Sequence, residues 1–325
     1  IPFGYYKKSD IARPRQKFFP SGVNSIFQKA EKIDYRNNNV TLADGTVIGY
    51  DVFLIATGTR IVPDETPGLK GDLWQKNIFD FYTIEGSEAL SVFLKTWEGG
   101  KMVINIVDNA IKCPVAPLEF AFCSDDFFTR KGIRDKVEIT YVTPMSGAFT
   151  KPKASKMLGK LLESKHVNLV TDFFIGEVDN INKKILDFGG REVPFDCLIT
   201  IPLHFGDQVI SDSGLGDEFG FVKVNKNTLQ SVVSSNVFVI GDAGNTPASK
   251  AGAVAHFQSE VLVENIISFI ANEPLKASFD GHSNCYIETG FGKGILIDFN
   301  YDTEPLPGMF PLPVVGPFAL LRESR

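Results

Sequence analysis

The apolar residues of this chain fall in short dense runs separated by turn residues, and the runs alternate with stretches of helical spacing. Asp51-Val-Phe-Leu-Ile-Ala-Thr-Gly58 is an unbroken apolar run closed by small residues, the pattern of a parallel strand buried on both faces. Ahead of it, residues 25–51 predict a hairpin, with Asp44-Gly45 as the turn. Pro and Gly accumulate from Pro63 to Leu69, and a second unit opens with the apolar run Lys101 to Val107. A helix is predicted near 116–131, a strand at Val137–Val142, a helix near 152–165 and a strand at Asn168–Val170. Met157, Leu158, Leu161 and Leu162 form one stripe at helical spacing, which reads as core. Past Asp179 a second hairpin is predicted, then a buried strand Cys197–Ile201 crossing back toward the first unit. Asn236 to Asp242 reads as a strand stopped by Gly-Asp and followed by a long helix from about Ala251 to Ala271. From Ser283 the chain predicts two strands about a Gly-rich turn, then a Pro-rich segment. Such alternation implies right-handed crossovers and a mostly parallel sheet, an α/β chain.

Composition narrows the function classes. With 325 residues, 43% hydrophobic and 22% charged, the chain can build two ordinary domains. A net charge of -6 argues against a nucleic-acid partner, since phosphate binding draws on clustered Lys and Arg. Cys113, Cys123, Cys197 and Cys285 are far apart, without the spacing of a zinc site, so no metal is expected. No apolar run approaches the ~20 residues that span a bilayer. The start at Ile1 lacks the pattern of a signal peptide and reads as truncated or processed.

Two strand ends carry the cofactor argument: Ala56-Thr57-Gly58 and Gly241-Asp242. Each puts small residues where a dinucleotide can approach the backbone at the carboxyl end of a parallel strand. Asp242 can accept a hydrogen bond from a ribityl hydroxyl, and the helix beginning near Ala251 aims its amides and positive dipole end the same way. In this order the two motifs resemble the disulfide-reductase-like flavoproteins, which implies FAD. That family rests the FAD pyrophosphate on a GxGxxG turn near the N-terminus. Residues 1–58 contain none, so a strand, glycine turn and helix are expected to precede Ile1. Where NADH-using relatives carry a second glycine turn, Val103 to Pro114 contains no glycine, and Asp108 would repel a pyrophosphate. A nicotinamide cofactor is therefore not expected. Cys113 stands there instead, at a loop-to-helix junction where amides and dipole would lower its pKa.

Lys112-Cys-Pro-Val-Ala-Pro-Leu-Glu119, together with Ser283 to Phe299 around Cys285, resembles the two cysteine segments of sulfide:quinone oxidoreductases and of flavocytochrome c sulfide dehydrogenases. The resemblance runs over essentially the whole chain. It implies two Rossmann-like three-layer domains plus a C-terminal β-rich domain, with the first part of the FAD domain missing. The expected spans are 1–65 and 201–274 for FAD binding, 66–200 for the second domain and 275–325 for the C-terminal one. It implies that sulfide attacks a Cys113–Cys285 bridge and leaves a persulfide on Cys285, while Cys113 adds to the flavin C4a carbon and passes on two electrons. Burial is the plain alternative for either thiol taken alone. Glu119 is the candidate proton acceptor, with a solvated helix carboxylate as its alternative. The cofactor contacts implied are Ala56, Thr57, Gly58, Pro114, Pro202, Gly241, Asp242, Lys250 and Ala251. Cys123 and Cys197 read as small core residues, and His204, His256 and His282 as structural.

The sequence departs from the family in two places. No cysteine stands between Pro67 and Ile84, which points to a two-cysteine subtype or to the sulfide dehydrogenase branch, and Ser146 to Thr150 lacks a histidine that some members carry. The acceptor implied is a membrane quinone, with peripheral attachment through the C-terminal region and a possible homo-oligomer. The apolar segment Pro305 to Leu321 is the candidate edge of a quinone mouth, or a packed coil, and anchoring helices are expected beyond Arg325. Two other readings stay open: a flavocytochrome c flavoprotein that passes electrons to a haem subunit, and a redox-inactive flavin-fold binding protein.

Overall fold

The structure, a computed structural model, describes residues 1–305, 307–310, 312 and 318–325. Its centre is a five-stranded, all-parallel sheet in the order Ile78–Phe79, Cys197–Ile201, Gly100–Ile106, Val137–Val142, Val167–Val170. The three central strands are almost wholly buried, as their continuous apolar sequences require. Helices Ile84–Thr96, Ala116–Lys131 and Pro152–Ser164 pack on one face through Leu90, Leu118, Phe122 and Leu158. The other face is covered through Val103, Val142 and Leu198 by a three-stranded meander, Ile175–Asp179, Lys184–Asp187 and Glu192–Pro194.

The expected α/β architecture is present, with several boundaries changed. Both predicted hairpins are three-stranded meanders, the first formed by Ala30–Asp34, Asn39–Leu42 and Val47–Gly49. The run from Asp51 to Gly58 is a strand only over Phe53–Ile55, paired in parallel with Val237–Val239. Ile55 is buried, and Leu54 on the other face is 44% exposed. An apolar run alone cannot report how many strands flank it. Beyond Val239, Gly241–Ala243 forms a single tight turn, and helix Gly252–Ile270 follows. Strands Thr59–Ile61 and His204–Gly206 pair antiparallel, so the chain's two passages between the units run side by side.

Ser283–Gly290 and Lys293–Phe299 form an antiparallel hairpin, extended by Phe318–Leu320 and Gly308–Phe310. The hairpin lies directly on helix Ala116–Lys131, with Cys285, Ile287, Ile295 and Ile297 joining the core formed by Leu118 and Phe122. At its turn Gly290 has φ +73, and a Cβ there would lie 2.8 Å from Asp126 Cβ and 3.0 Å from the Phe122 carbonyl. Only glycine permits that approach. The segment Pro305 to Leu321, expected to edge a quinone mouth, lies partly outside the described residues. Among the described residues no helix is long and apolar enough to cross a membrane.

Ile287, fully buried between hairpin and helix, reports on this seam. Ile287→Ala should lower unfolding stability by about 2–5 kcal/mol in a denaturant titration. A loss well under ~1 kcal/mol would show that the hairpin is not part of the cooperative core.

Candidate active site

Cys113 lies in the loop that carries the chain from strand Gly100–Ile106 into helix Ala116–Lys131. Its φ of +50 falls in the left-handed region, a conformation that costs a non-glycine residue of order 1–3 kcal/mol and persists only where its surroundings hold it. Three hydrogen bonds do so. The Cys113 amide donates to the Lys250 carbonyl at 2.5 Å. Its carbonyl accepts from the Ala116 amide at 2.9 Å and from the Tyr82 hydroxyl at 3.3 Å. A Lys112–Lys250 bridge docks this loop against the segment that precedes helix Gly252–Ile270.

Cys285 is the third residue of strand Ser283–Gly290, 7% exposed, in the apolar cluster against which Cys113 packs. Both are free thiols. Their environments are electrostatically joined: burial and then the charge of Cys113 push Cys285 up to about 12. Cys113 is pushed up to about 11, first by burial and then by the Glu119 carboxylate. The low pKa expected for Cys113 is thus corrected. The Ala116 and Val115 amides do favour its thiolate, but desolvation and a neighbouring carboxylate outweigh them. The pocket favours uncharged sulfur, whether thiol or disulfide.

Glu119, in the first turn of helix Ala116–Lys131, faces the same region. Burial raises its carboxyl to about 7, the charge of Glu288 adding to the effect, while Oε1 accepts a 2.9 Å hydrogen bond from the Glu288 amide. It is therefore a desolvated carboxyl whose proton affinity lies near neutral pH, not a solvated surface acid. A cleft of about 290 Å³ lined by Glu119, Glu288, Lys293 and Leu296 opens onto it. Cys123, one turn further along, is only half-buried and feels Glu288 and Glu119, so it borders this region and is not plain core. Cys197 is fully buried in the central sheet, as a core residue should be.

The second constellation adjoins the first. Ala56 and Thr57 are exposed at the end of strand Phe53–Ile55, Gly58 follows with φ +70, and a Cβ on Gly58 would meet open space. Gly241 takes φ +67 and donates its amide to Gln258 Oε1 at 2.7 Å. The Asp242 carboxylate accepts no hydrogen bond from the described residues, and burial raises its pKa. Lys250 Nζ donates to the carbonyls of Asp242 at 2.8 Å and Gly244 at 3.0 Å and lies over the Phe221 ring. Burial lowers Lys250 to about 8. Helix Gly252–Ile270 begins after Ala251 with no side chain capping its first amides. Pro114 and Lys250 line a cleft of about 540 Å³ together with Ile111, Lys151 and Phe299. Pro202 accepts a 2.9 Å hydrogen bond from His204 Nδ1. His204 is buried, and burial lowers it to about 4, so its ring stays neutral.

Three contributors escaped the sequence reading: Tyr82, Lys112 and Gln258. Tyr82 touches Cys113 only through tertiary structure. Gln258 left a signal, since it is a fully buried amide on the face that Val254 and Leu262 bury.

No protein-family model matches the chain. It is 30% identical over 306 residues to the mitochondrial sulfide:quinone oxidoreductase of Dictyostelium discoideum, covering 93% of this chain and 68% of that protein. The chain belongs to the sulfide:quinone oxidoreductase family. The Schizosaccharomyces pombe mitochondrial protein of the same name is 29% identical over 279 residues, 83% of this chain and 61% of that one. This member of the sulfide:quinone oxidoreductase family thus spans roughly two thirds of its curated relatives' length. Its fold matches the crystal structure of the Aquifex aeolicus sulfide:quinone oxidoreductase with a TM-score of 0.79 at 20% identity, covering 99% of this chain and 76% of that one.

Because the folded state holds Glu119 protonated up to about 7 while an unfolded glutamate titrates near 4.5, folding favours proton uptake between these values. Its contribution to stability is present below pH ~4.5 and lost as the pH rises through ~7. Glu119→Gln should flatten this part of the stability curve in denaturant titrations at successive pH values. A variant curve parallel to the parent's would mean that the carboxyl titrates normally.

Proposed function

We propose that this chain oxidises sulfide and passes the electrons through FAD to a quinone, with Cys113 and Cys285 as the sulfur-exchanging pair and Glu119 as proton acceptor. The observation that carries the reading is the convergence of two thiols, far apart in sequence, on one buried cluster that also holds a near-neutral carboxyl. Family membership supplies the reaction class. A haem-protein acceptor is the competing reading that the acceptor assay below decides.

The residues fit a flavin dinucleotide. Gly58 leaves the backbone open, the Asp242 carboxylate accepts no hydrogen bond among the described residues and feels only the charges of Lys250 and Lys112, and the first amides of helix Gly252–Ile270 carry no side-chain cap. Ala56, Thr57, Gly58, Pro114, Pro202, Gly241, Asp242, Lys250 and Ala251 would hold it. FAD, when bound, supplies a two-electron acceptor next to the sulfur chemistry.

In the oxidised pair, hydrosulfide attacks Sγ of Cys285. The Cys285–Cys113 bond breaks, the incoming sulfur stays on Cys285 as a persulfide, and Cys113 leaves as a thiolate holding the displaced electron pair. Glu119 takes the proton shed by hydrogen sulfide, which its raised pKa permits near neutrality. The amides of Ala116 and Val115 favour the transient Cys113 charge, and the surrounding desolvation pushes it onward to an acceptor. The quinone implies peripheral membrane association.

Cys113→Ser and Cys285→Ser should each reduce sulfide-dependent quinone reduction by at least about a hundredfold with flavin content retained. Full activity in either variant, or electron delivery to a cytochrome c but to no quinone, would sink the assignment. Asp242→Ala should lower the flavin retained per chain, read from the visible-to-ultraviolet absorbance ratio after gel filtration. Unchanged retention would remove Asp242 from the cofactor site.

A further inference from the structure

One buried polar group beside Cys285 has no part in the bond changes that load sulfur onto it. Ser283 opens the strand that carries Cys285 and is wholly buried. Residues two apart on a strand point to the same face, so its hydroxyl and the Cys285 sulfur share the face pressed into the core. Across the hairpin their partners are Phe299 and Ile297, both buried and both apolar. Among the described residues the Ser283 hydroxyl completes no hydrogen bond. A buried hydroxyl without a partner is costly, and one that persists calls for a state of the molecule in which it is used.

A charged Cys285 is that state. Burial and the charges of Cys113 and Glu119 oppose a thiolate there, whereas the Ser283 hydroxyl favours one. Cys113 is served differently, by the Ala116 and Val115 amides. Charge reaches Cys285 at a definite step. Hydrosulfide attack sends the displaced electron pair to Cys113, so loading leaves Sγ of Cys285 uncharged. Before Cys285 can pair with Cys113 again, a nucleophile must take the outer sulfur, a second hydrosulfide being the simplest. A bond forms from the nucleophile to the outer sulfur, the bond from that sulfur to Sγ breaks, and Cys285 departs with the electron pair as a thiolate. A thiolate leaves faster the lower its proton affinity, and a fixed donor beside the developing charge speeds its departure.

We propose that the Ser283 hydroxyl donates a hydrogen bond to Sγ of Cys285 as the persulfide is discharged, and so acts in sulfur release and not in sulfur loading. The assignment rests on the sulfide reading and deepens it.

Cyanide isolates this step, because it takes the outer sulfur as thiocyanate and leaves the cysteine as a thiolate. The full chain with Cys113 and Cys285 oxidised is loaded with sulfide, freed of excess by gel filtration and treated with cyanide. Thiocyanate is read as its ferric complex, a measurement that needs no flavin turnover. Ser283→Ala should load sulfur within about twofold of the parent rate and release thiocyanate about tenfold more slowly, the scale of one hydrogen bond to a charged atom. Its thermal unfolding midpoint should be unchanged or raised, since the substitution removes a buried hydroxyl that lacks a partner. A lowered midpoint, or release as fast as the parent's, overturns the proposal while thiocyanate from the parent still upholds the sulfur exchange. Slower loading with normal release overturns it too, by placing the leaving charge on Cys285 in the first step. Absence of thiocyanate from the parent removes the exchange chemistry and the proposal together.

Discussion

The contact on which the rest of this structure turns is the seating of the Ser283–Gly290 strand on helix Ala116–Lys131. Its apolar part buries Ile287 and Cys285 against Leu118 and Phe122, and its polar part is the hydrogen bond from the Glu288 amide to Glu119. Gly290 lets the backbone come close enough for both. Through this seam a strand near the end of the chain delivers a sulfur beside the loop of Cys113. The same burial raises Glu119 to near neutrality. Stability and chemistry therefore draw on one interface, and the desolvation that stabilises the core sets the proton affinities of the site.

A second constraint acts on Cys113 from the opposite side. Its left-handed backbone is held by Lys250, Ala116 and Tyr82, which come from three separate parts of the chain. Lys250 belongs to the segment that also carries Asp242 and leads into helix Gly252–Ile270. Any shift of that segment would reach Cys113 through a 2.5 Å hydrogen bond. The thiol is thus positioned by the same backbone that we propose receives the flavin, and the two halves of the proposed reaction share one scaffold.

Much of this was legible in the residue order. The strands Gly100–Ile106, Val137–Val142 and Cys197–Ile201 announce themselves as continuous apolar runs because a parallel sheet covered on both faces leaves no polar side. Small residues at 56–58 and 241 mark strand ends, since local backbone freedom is written in local sequence. That the run from Asp51 to Gly58 pairs only over Phe53–Ile55 was not legible, because where a strand starts and stops is set by its neighbour.

The electrostatics of the site belong to tertiary structure. From sequence, Cys113 at a helix start promises a lowered pKa, because dipole and amides are local. The opposing terms, burial and the nearby carboxylate, arise only when hairpin, helix and loop meet, and they win. Glu119 passes equally well for a surface acid until the Glu288 strand covers it. Tyr82 carries no mark of its contact with Cys113. What the sequence by itself determined is the set of elements and the identity of the candidate groups, since periodicity, turn chemistry and residue type are local properties. Which groups meet, how deeply they are buried and which way their proton affinities move were decided by the tertiary structure, because desolvation and charge act across space between residues that the chain holds far apart.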